Sequence, residues 1–269
     1  MGMTMEIPLY QVDAFTERVF GGNPAAVCPL ERWLPDATMQ AIAAENNLSE
    51  TAFFVPLDDE NGGEDFGLRW FTPTVEIDLA GHPTLATAHV IFTELAPRRE
   101  RVRFRTKIGD TLVVTRDGAV LWMDFPARPP APRDGLGDVA GALGNMPAEV
   151  LAARDGVAVF AREADVRALA PDMARVAALD CFGLIATAPG DGCDFVSRFF
   201  APKAGVPEDP VTGSAHCTLI PYWAKRLGKR ALKARQISTR GGVLLCELRG
   251  ERVGIGGRAV TYLRGTIAL

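Results

Sequence analysis

The chain has 269 residues, 48% hydrophobic and 23% charged, with 29 Lys and Arg against 33 Asp and Glu and a formal net charge of −4. These proportions are those of an ordinary globular protein of one or two domains, long enough to bury a core. The acidic balance gives no electrostatic reason to expect nucleic acid or an anionic membrane as partner.

The N-terminal MGMTMEIPLYQVDAF has no basic stretch leading into an apolar one, and no apolar run reaches membrane-spanning length. The five cysteines, Cys28, Cys181, Cys193, Cys217 and Cys246, are odd in number, widely spaced and without a C-x-x-C. Reduced thiols in a soluble cytoplasmic protein are the simplest reading. Met39, Ile42 and Ala43 then space the apolar face of a helix, and ETAFFVP reads as an apolar strand. Just ahead of that strand, Ser49 and Glu50 in NLSETAFF fit plain turn chemistry. A glutamate at the edge of an apolar strand also suits general acid/base work, because burial raises its pKa toward neutrality. The loop LDDENGGEDFG (57–67) leads to an aromatic strand, LRWFTP.

In EIDLAGHPTLA (76–86) a glycine precedes a helix start, with Pro83 as a candidate first helical residue. The helix TLATAHVIFTEL (84–95) is apolar around most of its circumference and calls for a sheet wrapped about it. Downstream, RRERVRFRTK (98–107) sets Arg and Lys on alternate positions, the pattern of a strand with one solvated face. Asp117–Gly118 marks the turn of a closing hairpin. PARPPAPRDG (126–135) reads as a linker.

The remainder repeats the first half. EDFGLRWFTP (64–73) aligns with CDFVSRFFAP (193–202), matching Asp65 to Asp194, Phe66 to Phe195, Arg69 to Arg198, Phe71 to Phe200 and Pro73 to Pro202. Beyond them Glu76 matches Glu208, Gly81 matches Gly213, Gly109 matches Gly241, Leu112 matches Leu244 and Gly118 matches Gly250. Upstream, MQAIAA resembles MARVAA. The chain is therefore two copies of one α/β unit, residues 1–126 and 136–269, with the last strand a candidate to return to the first copy.

The stretch EDPVTGSAHC (208–217) is the twin of EIDLAGHPTL, and Ser214 stands where a helix N-cap would accept a backbone N–H. Caps alone explain both stretches. Two glycine-led helix starts also suit the binding of a small anion. His82 and His216 fall in these segments and His89 in the helix that follows the first, His89 reading as structural and His216 open. Pro221 inside AHCTLIPYWAKRL predicts a kink or an early end. Glu50 has no counterpart in DCFGLIATA and Asp209 faces Ile77, so the shared fold requires neither carboxylate. VGIGG (253–257) lacks a following helix and does not read as a dinucleotide fingerprint. No metal-ligand spacing, serine-hydrolase elbow or P-loop is present.

VDAFT, GGNPAAV, NLSETAFF, RWFTPTVEIDLAGHPTLATAH and EDPVTGSAH, in this order, make the chain resemble the PhzF-like family over essentially its whole length. The resemblance implies an α+β fold like that of diaminopimelate epimerase. Two pseudo-symmetric halves would each be a curved, mostly antiparallel sheet around a central helix, with the active site in the cleft between them. It implies a cofactor-independent, metal-free isomerase moving a proton on a small carboxylate-bearing metabolite, often as a homodimer. Carried over by motif, Glu50 is the acid/base, His82 and Asp209 are catalytic, and Ser49, Gly81, Gly213 and Ser214 bind substrate. Epimerase chemistry on another amino-acid-like substrate and a non-catalytic binding relative are the alternatives. Racemases of this fold carry thiols where this chain has Ala80 and Thr212, which argues against two-base racemisation.

Overall fold

In a computed structural model of the chain, residues 5–57 and 65–269 are described. The first four residues, most of LDDENGGEDFG, and Glu64 at the head of the repeat alignment lie outside them. The chain divides into two compact units, residues 1–124 with 256–269, and residues 125–255.

In the first unit, β1 (Glu6–Ala14) and β2 (Asn23–Pro29) pair antiparallel. Helix α1 (Asp36–Asn46) follows, turning Met39, Ile42 and Ala43 onto a core with Phe53 and Phe71. Strand β3 (Glu50–Pro56) then joins β2 in parallel, and β4 (Phe66–Phe71) returns antiparallel to β3. The short β5 (Glu76–Ile77) folds back on β4. Helix α2 (Gly81–Val90) buries His82 through Ala88 and Val90, packing against β1, β2 and β3, and continues as a π-helical turn over Ile91–Leu95. Its all-round apolar sequence finds apolar neighbours all round. After it come β6 (Arg101–Thr106) parallel to β4, β7 (Thr111–Asp117) antiparallel to β6, and β8 (Val120–Pro126) antiparallel to β7. Val102, Phe104 and Thr106 are buried while Arg101 and Arg105 are exposed, as the alternation predicts. The β7–β8 turn is Gly118–Ala119, one residue past the expected Asp-Gly, since Asp117 pairs with Val120. Gly118 takes the positive φ of 58° there, and its repeat partner Gly250 takes 70°.

The second unit opens with the short β9 (Ala131–Pro132), then α3 (Val139–Leu143), β10 (Glu149–Ala152), β11 (Gly156–Val159), α4 (Glu163–Arg167) and α5 (Met173–Ala178). It continues with β12 (Leu184–Pro189), β13 (Phe195–Ala201), β14 (Val206–Asp209), α6 (Gly213–Leu227), β15 (Ala231–Gln236), β16 (Gly242–Arg249) and β17 (Arg252–Gly257). The pairings copy the first unit. β10 lies antiparallel to β11, β11 parallel to β12, β12 antiparallel to β13, β13 parallel to β15, and β15 antiparallel to β16. Leu112 faces Phe104 as Leu244 faces Ala234. The last strand, β18 (Ala259–Ala268), belongs to the first unit, antiparallel to β1.

Two sequence expectations need correction here. The stretch 126–135 is laid onto the second unit rather than free as a linker. Ala131 and Pro132 pair with β10, Ala127 N–H donates to the Glu251 carbonyl, and Arg128 N–H donates to the Cys217 carbonyl at 2.9 Å. That last bond explains the second correction, because α6 runs to Leu227 straight through Pro221. Proline deprives the carbonyl four residues back, that of Cys217, of its helical donor. Arg128 supplies the missing donor, so the helix need not end.

Candidate active site

Helix α2 starts at Gly81 with Ala80 as its N-cap, and α6 starts at Gly213 with Thr212 as its N-cap; neither cap makes a side-chain hydrogen bond to the helix. Ser214 is therefore the second helical residue rather than the cap, and Pro83 the third rather than the first. Both remain in the first turn, where backbone N–H groups have no intrahelical partner and the helix dipole is positive.

In the first unit, Asn23 at the head of β2, Ser49 and Glu50 at the head of β3, and Gly81 and His82 at the head of α2 meet. The parallel register sets Ala25 beside Glu50. Gly22, at φ 62°, makes this possible, since a Cβ there would lie 2.0 Å from the Ala14 carbonyl oxygen. His82 Nε2 stands 3.1 Å from Glu50 Oε2. Its Nδ1 is 3.1 Å from the fully buried Asn23 side-chain nitrogen, and the Ser49 hydroxyl donates to Asn23 Oδ1 at 3.4 Å.

An ion pair between His82 and Glu50 would require an imidazolium. Burial pulls the His82 pKa down to about 3, opposed by a hydrogen bond to the Pro24 carbonyl. The positive end of α2 also disfavours a charged ring. His82 is thus neutral near pH 7, and its approach to Glu50 is not a pairing of opposite charges. The two atoms are close without the alignment of a full hydrogen bond. A carboxylate beside a neutral imidazole and a helix N-terminus can take up and give back a proton without a large change of its surroundings.

In the second unit, Asp209 at the end of β14 lies against the start of α6. The Thr212 hydroxyl donates to Asp209 Oδ2 at 2.5 Å. Gln236, buried at the end of β15, clamps the loop. Its amide donates to the Asp209 carbonyl at 2.7 Å, and its oxygen accepts the Thr212 N–H at 2.8 Å. Arg154 donates to the Ser214 hydroxyl at 3.2 Å and is itself paired with the buried Asp155. His216, fully buried, bonds the Thr212 carbonyl through Nδ1 at 2.8 Å, and burial lowers its pKa to about 4. His89 bonds Thr261 in the first unit.

The sequence-predicted residues thus form two groups, Ser49, Glu50, Gly81 and His82 in one unit and Asp209, Gly213 and Ser214 in the other. Asn23, Gln236 and Arg154 went unassigned. Asn23 lies inside GGNPAAV, and Gln236 was visible as a polar residue on the apolar face of ALKARQ, beside Leu232 and Ala234. Arg154 left no signal, because its partner is 60 residues away. Among the described residues no three His, Cys, Asp or Glu converge as metal ligands would, and no helix is long and apolar enough to cross a membrane.

A profile of the phenazine biosynthesis-like protein family matches residues 12–265. A protein of Pseudomonas aeruginosa named an uncharacterized isomerase is 52% identical over 265 residues, covering 98% of this chain and 100% of its own length. A crystal structure of a PhzF-family phenazine biosynthesis protein from Enterococcus faecalis superposes with a TM-score of 0.93 at 48% identity, over 98% of this chain and 100% of that one. A hydroxyproline epimerase from Agrobacterium vitis shares the fold alone, with a TM-score of 0.61 at 12% identity over 100% of this chain and 94% of that one. The α+β, epimerase-like architecture expected from the sequence is the one observed.

Proposed function

The chain belongs to the phenazine biosynthesis-like protein family, whose relatives are named isomerases, and on that premise we propose that it isomerises a small carboxylate-bearing metabolite by cofactor-independent proton transfer, with Glu50 carrying the proton. The observation that carries this reading is the 3.1 Å approach of neutral, buried His82 to Glu50 at the start of α2. Glu50 takes a proton from a substrate carbon and returns it to another position. His82 steadies the carboxylate, and the free N–H groups about Gly81, with Ser49, receive the negative charge that develops. We assign Asp209, Gly213 and Ser214 to holding substrate, with Asp209 set by Thr212 and Gln236 and a cation, Arg154, beside Ser214.

Proton transfer by one carboxylate fits better than two-thiol racemisation. The N-caps of α2 and α6 are Ala80 and Thr212, and burial raises the pKa of all five cysteines, Cys28 to about 12 and Cys217 to about 11. A thiolate base needs the opposite shift.

The test is incubation of cyclic and amino-acid-like carboxylates with the protein in deuterated water, scored for deuterium in the product. Glu50→Gln keeps the shape of the side chain and removes its basicity, so exchange falls by about 10²- to 10⁴-fold while thermal stability holds. Exchange at the wild-type rate in Glu50→Gln would overturn the role of Glu50.

A further inference from the structure

The internal repeat extends to the strands that carry Glu50, and there the two units part company. Pro56 faces Phe66 across β3 and β4 as Pro189 faces Phe195 across β12 and β13. Phe66 and Phe195 are matched residues, so this register sets Glu50 against Gly183 and Ser49 against Phe182. The parallel pairings of Ala26 with Thr51 and of Gly156 with Leu184 then set Pro24 against Arg154. The two helix starts set His82 against Ser214. At these places the second unit has no group that could carry a proton as Glu50 does. A guanidinium, a hydroxyl and an aromatic ring stand there together instead. Arg154 Nη2 donates to Ser214 Oγ at 3.2 Å, and the guanidinium lies over the Phe182 ring at 4.9 Å.

Asp155, 1% exposed, anchors that guanidinium by accepting from Nε at 3.2 Å and from Nη2 at 2.9 Å. Nη1 makes no hydrogen bond among the described residues. The Arg154 side chain is 36% exposed and Phe182 49%, so a ligand can reach both. Ser214 accepts from Arg154, which leaves its own proton to donate. Nη1–H and Ser214 O–H are thus two donors, one of them charged, and a carboxylate has two oxygens to meet them. A carboxamide of the same shape has one oxygen and a nitrogen that cannot accept. We infer that Arg154 is a specificity-determining residue that selects a carboxylate over its neutral isosteres, with Asp155 as its anchor and Phe182 as the surface it lies on. The inference rests on the reading that Gly213 and Ser214 hold substrate. It is independent of whether Glu50 carries the proton.

The test is titration of the ¹⁵N-labelled protein with benzoate and with benzamide, followed through the amide resonances of Gly213 and Ser214. The wild type is expected to bind benzoate about 10- to 100-fold more tightly than benzamide, the difference a charge-assisted hydrogen bond makes. Arg154→Met is expected to lose that preference. Because this variant leaves Asp155 buried without its partner, the double variant Arg154→Met/Asp155→Asn, which removes both charges together, is measured beside it. A purely structural role for Arg154 would lower the melting temperature and leave the preference of the folded protein intact. Either variant, folded and still preferring benzoate as the wild type does, therefore overturns the inference. So does a wild type that binds neither probe or binds both alike. Binding needs no proton transfer, so Glu50→Gln is expected to keep the preference. If the preference depends on Arg154 while Glu50→Gln still exchanges deuterium normally, the assignment of Arg154 stands and the reading of Glu50 falls.

Discussion

Asp209 is the residue on which the second group of site residues turns, because the repeat gives it no structural duty. Its counterpart is Ile77, whereas Glu208 beside it matches Glu76 and is used in the same way in both units. The Asp209 carboxylate accepts from Thr212, and the loop is clamped independently by Gln236 through the Asp209 main-chain carbonyl and the Thr212 N–H. Asp209→Asn retains an acceptor for Thr212 and leaves that clamp intact, so its melting temperature should stay within about 4 °C of wild type, equivalent to roughly 1 to 2 kcal/mol in a domain of this size. Turnover should fall on the order of 100-fold or more if the carboxylate touches substrate. Steady-state kinetics with thermal melting separates the two, and a variant that loses stability while its folded fraction turns over normally would make Asp209 structural. The carboxylates Glu50 and Asp209 were legible from sequence because each breaks the internal repeat. Asn23 was not, because an Asn after Gly-Gly satisfies ordinary turn chemistry and only the fold brings it within 3.1 Å of a residue 59 positions away.

Among the secondary-structure elements, the repeat shows its physical content in one pair of ion pairs. Arg69 grips Glu76 with two hydrogen bonds of 2.7 and 2.8 Å, and Arg198 grips Glu208 with two of 2.7 and 2.9 Å. Each guanidinium also lies over the duplicated phenylalanine, Phe71 at 5.2 Å and Phe200 at 5.0 Å. Both pairs tie an aromatic strand to the segment that leads into the buried helix, which fixes where each helix begins. Each arginine also reaches a further partner, Arg69 donating to Asp36 at the start of α1, and Arg198 to the carbonyls of Val166 in α4 and Leu169 just beyond it. Arg198→Met leaves a half-buried carboxylate and two carbonyls without their donor. A cost of about 3 kcal/mol is expected by urea denaturation, between the values for surface and fully buried pairs. Glu208→Gln, which can still accept, should cost nearer 1 kcal/mol. A loss below about 1 kcal/mol in Arg198→Met would reduce the pair to a surface contact. Matching residues and apolar periodicity made the two-unit plan readable in advance, since both are local properties. The helix caps and the passage of α6 through Pro221 were not readable, because the first depends on a two-residue shift of register and the second on Arg128, a donor 89 residues away from the carbonyl it satisfies.

For the molecule as a whole, the consequence of burying two helix starts is sensitivity to acid. Each unit encloses a neutral imidazole, His82 held down to about 3 and His216 to about 4, both by desolvation. In the unfolded chain each takes up a proton as pH falls through about 6.5; in the folded chain it resists. Between those values the unfolded form binds more protons, so stability is greatest above pH 6.5 and falls as pH drops toward about 4 for His216 and about 3 for His82, levelling off below. At one and a half pH units below the unfolded value the loss is roughly 2 kcal/mol for each ring. Carboxylates with lowered pKa, Glu76 and Glu94 among them through their arginine partners, add a loss of the same sign at still lower pH. His216 gives the cleaner measurement, since it lies outside the groups assigned to catalysis. The expected result is that the difference in unfolding free energy between pH 7 and pH 5 shrinks by about 2 kcal/mol in His216→Gln, whatever that substitution does to stability at pH 7. An unchanged difference would mean that the ring accepts its proton within the folded unit. Its Nε2, which has no hydrogen-bond partner within the described residues, would then have found one in water, and the start of α6 would be wetter than its packing against Phe195 implies.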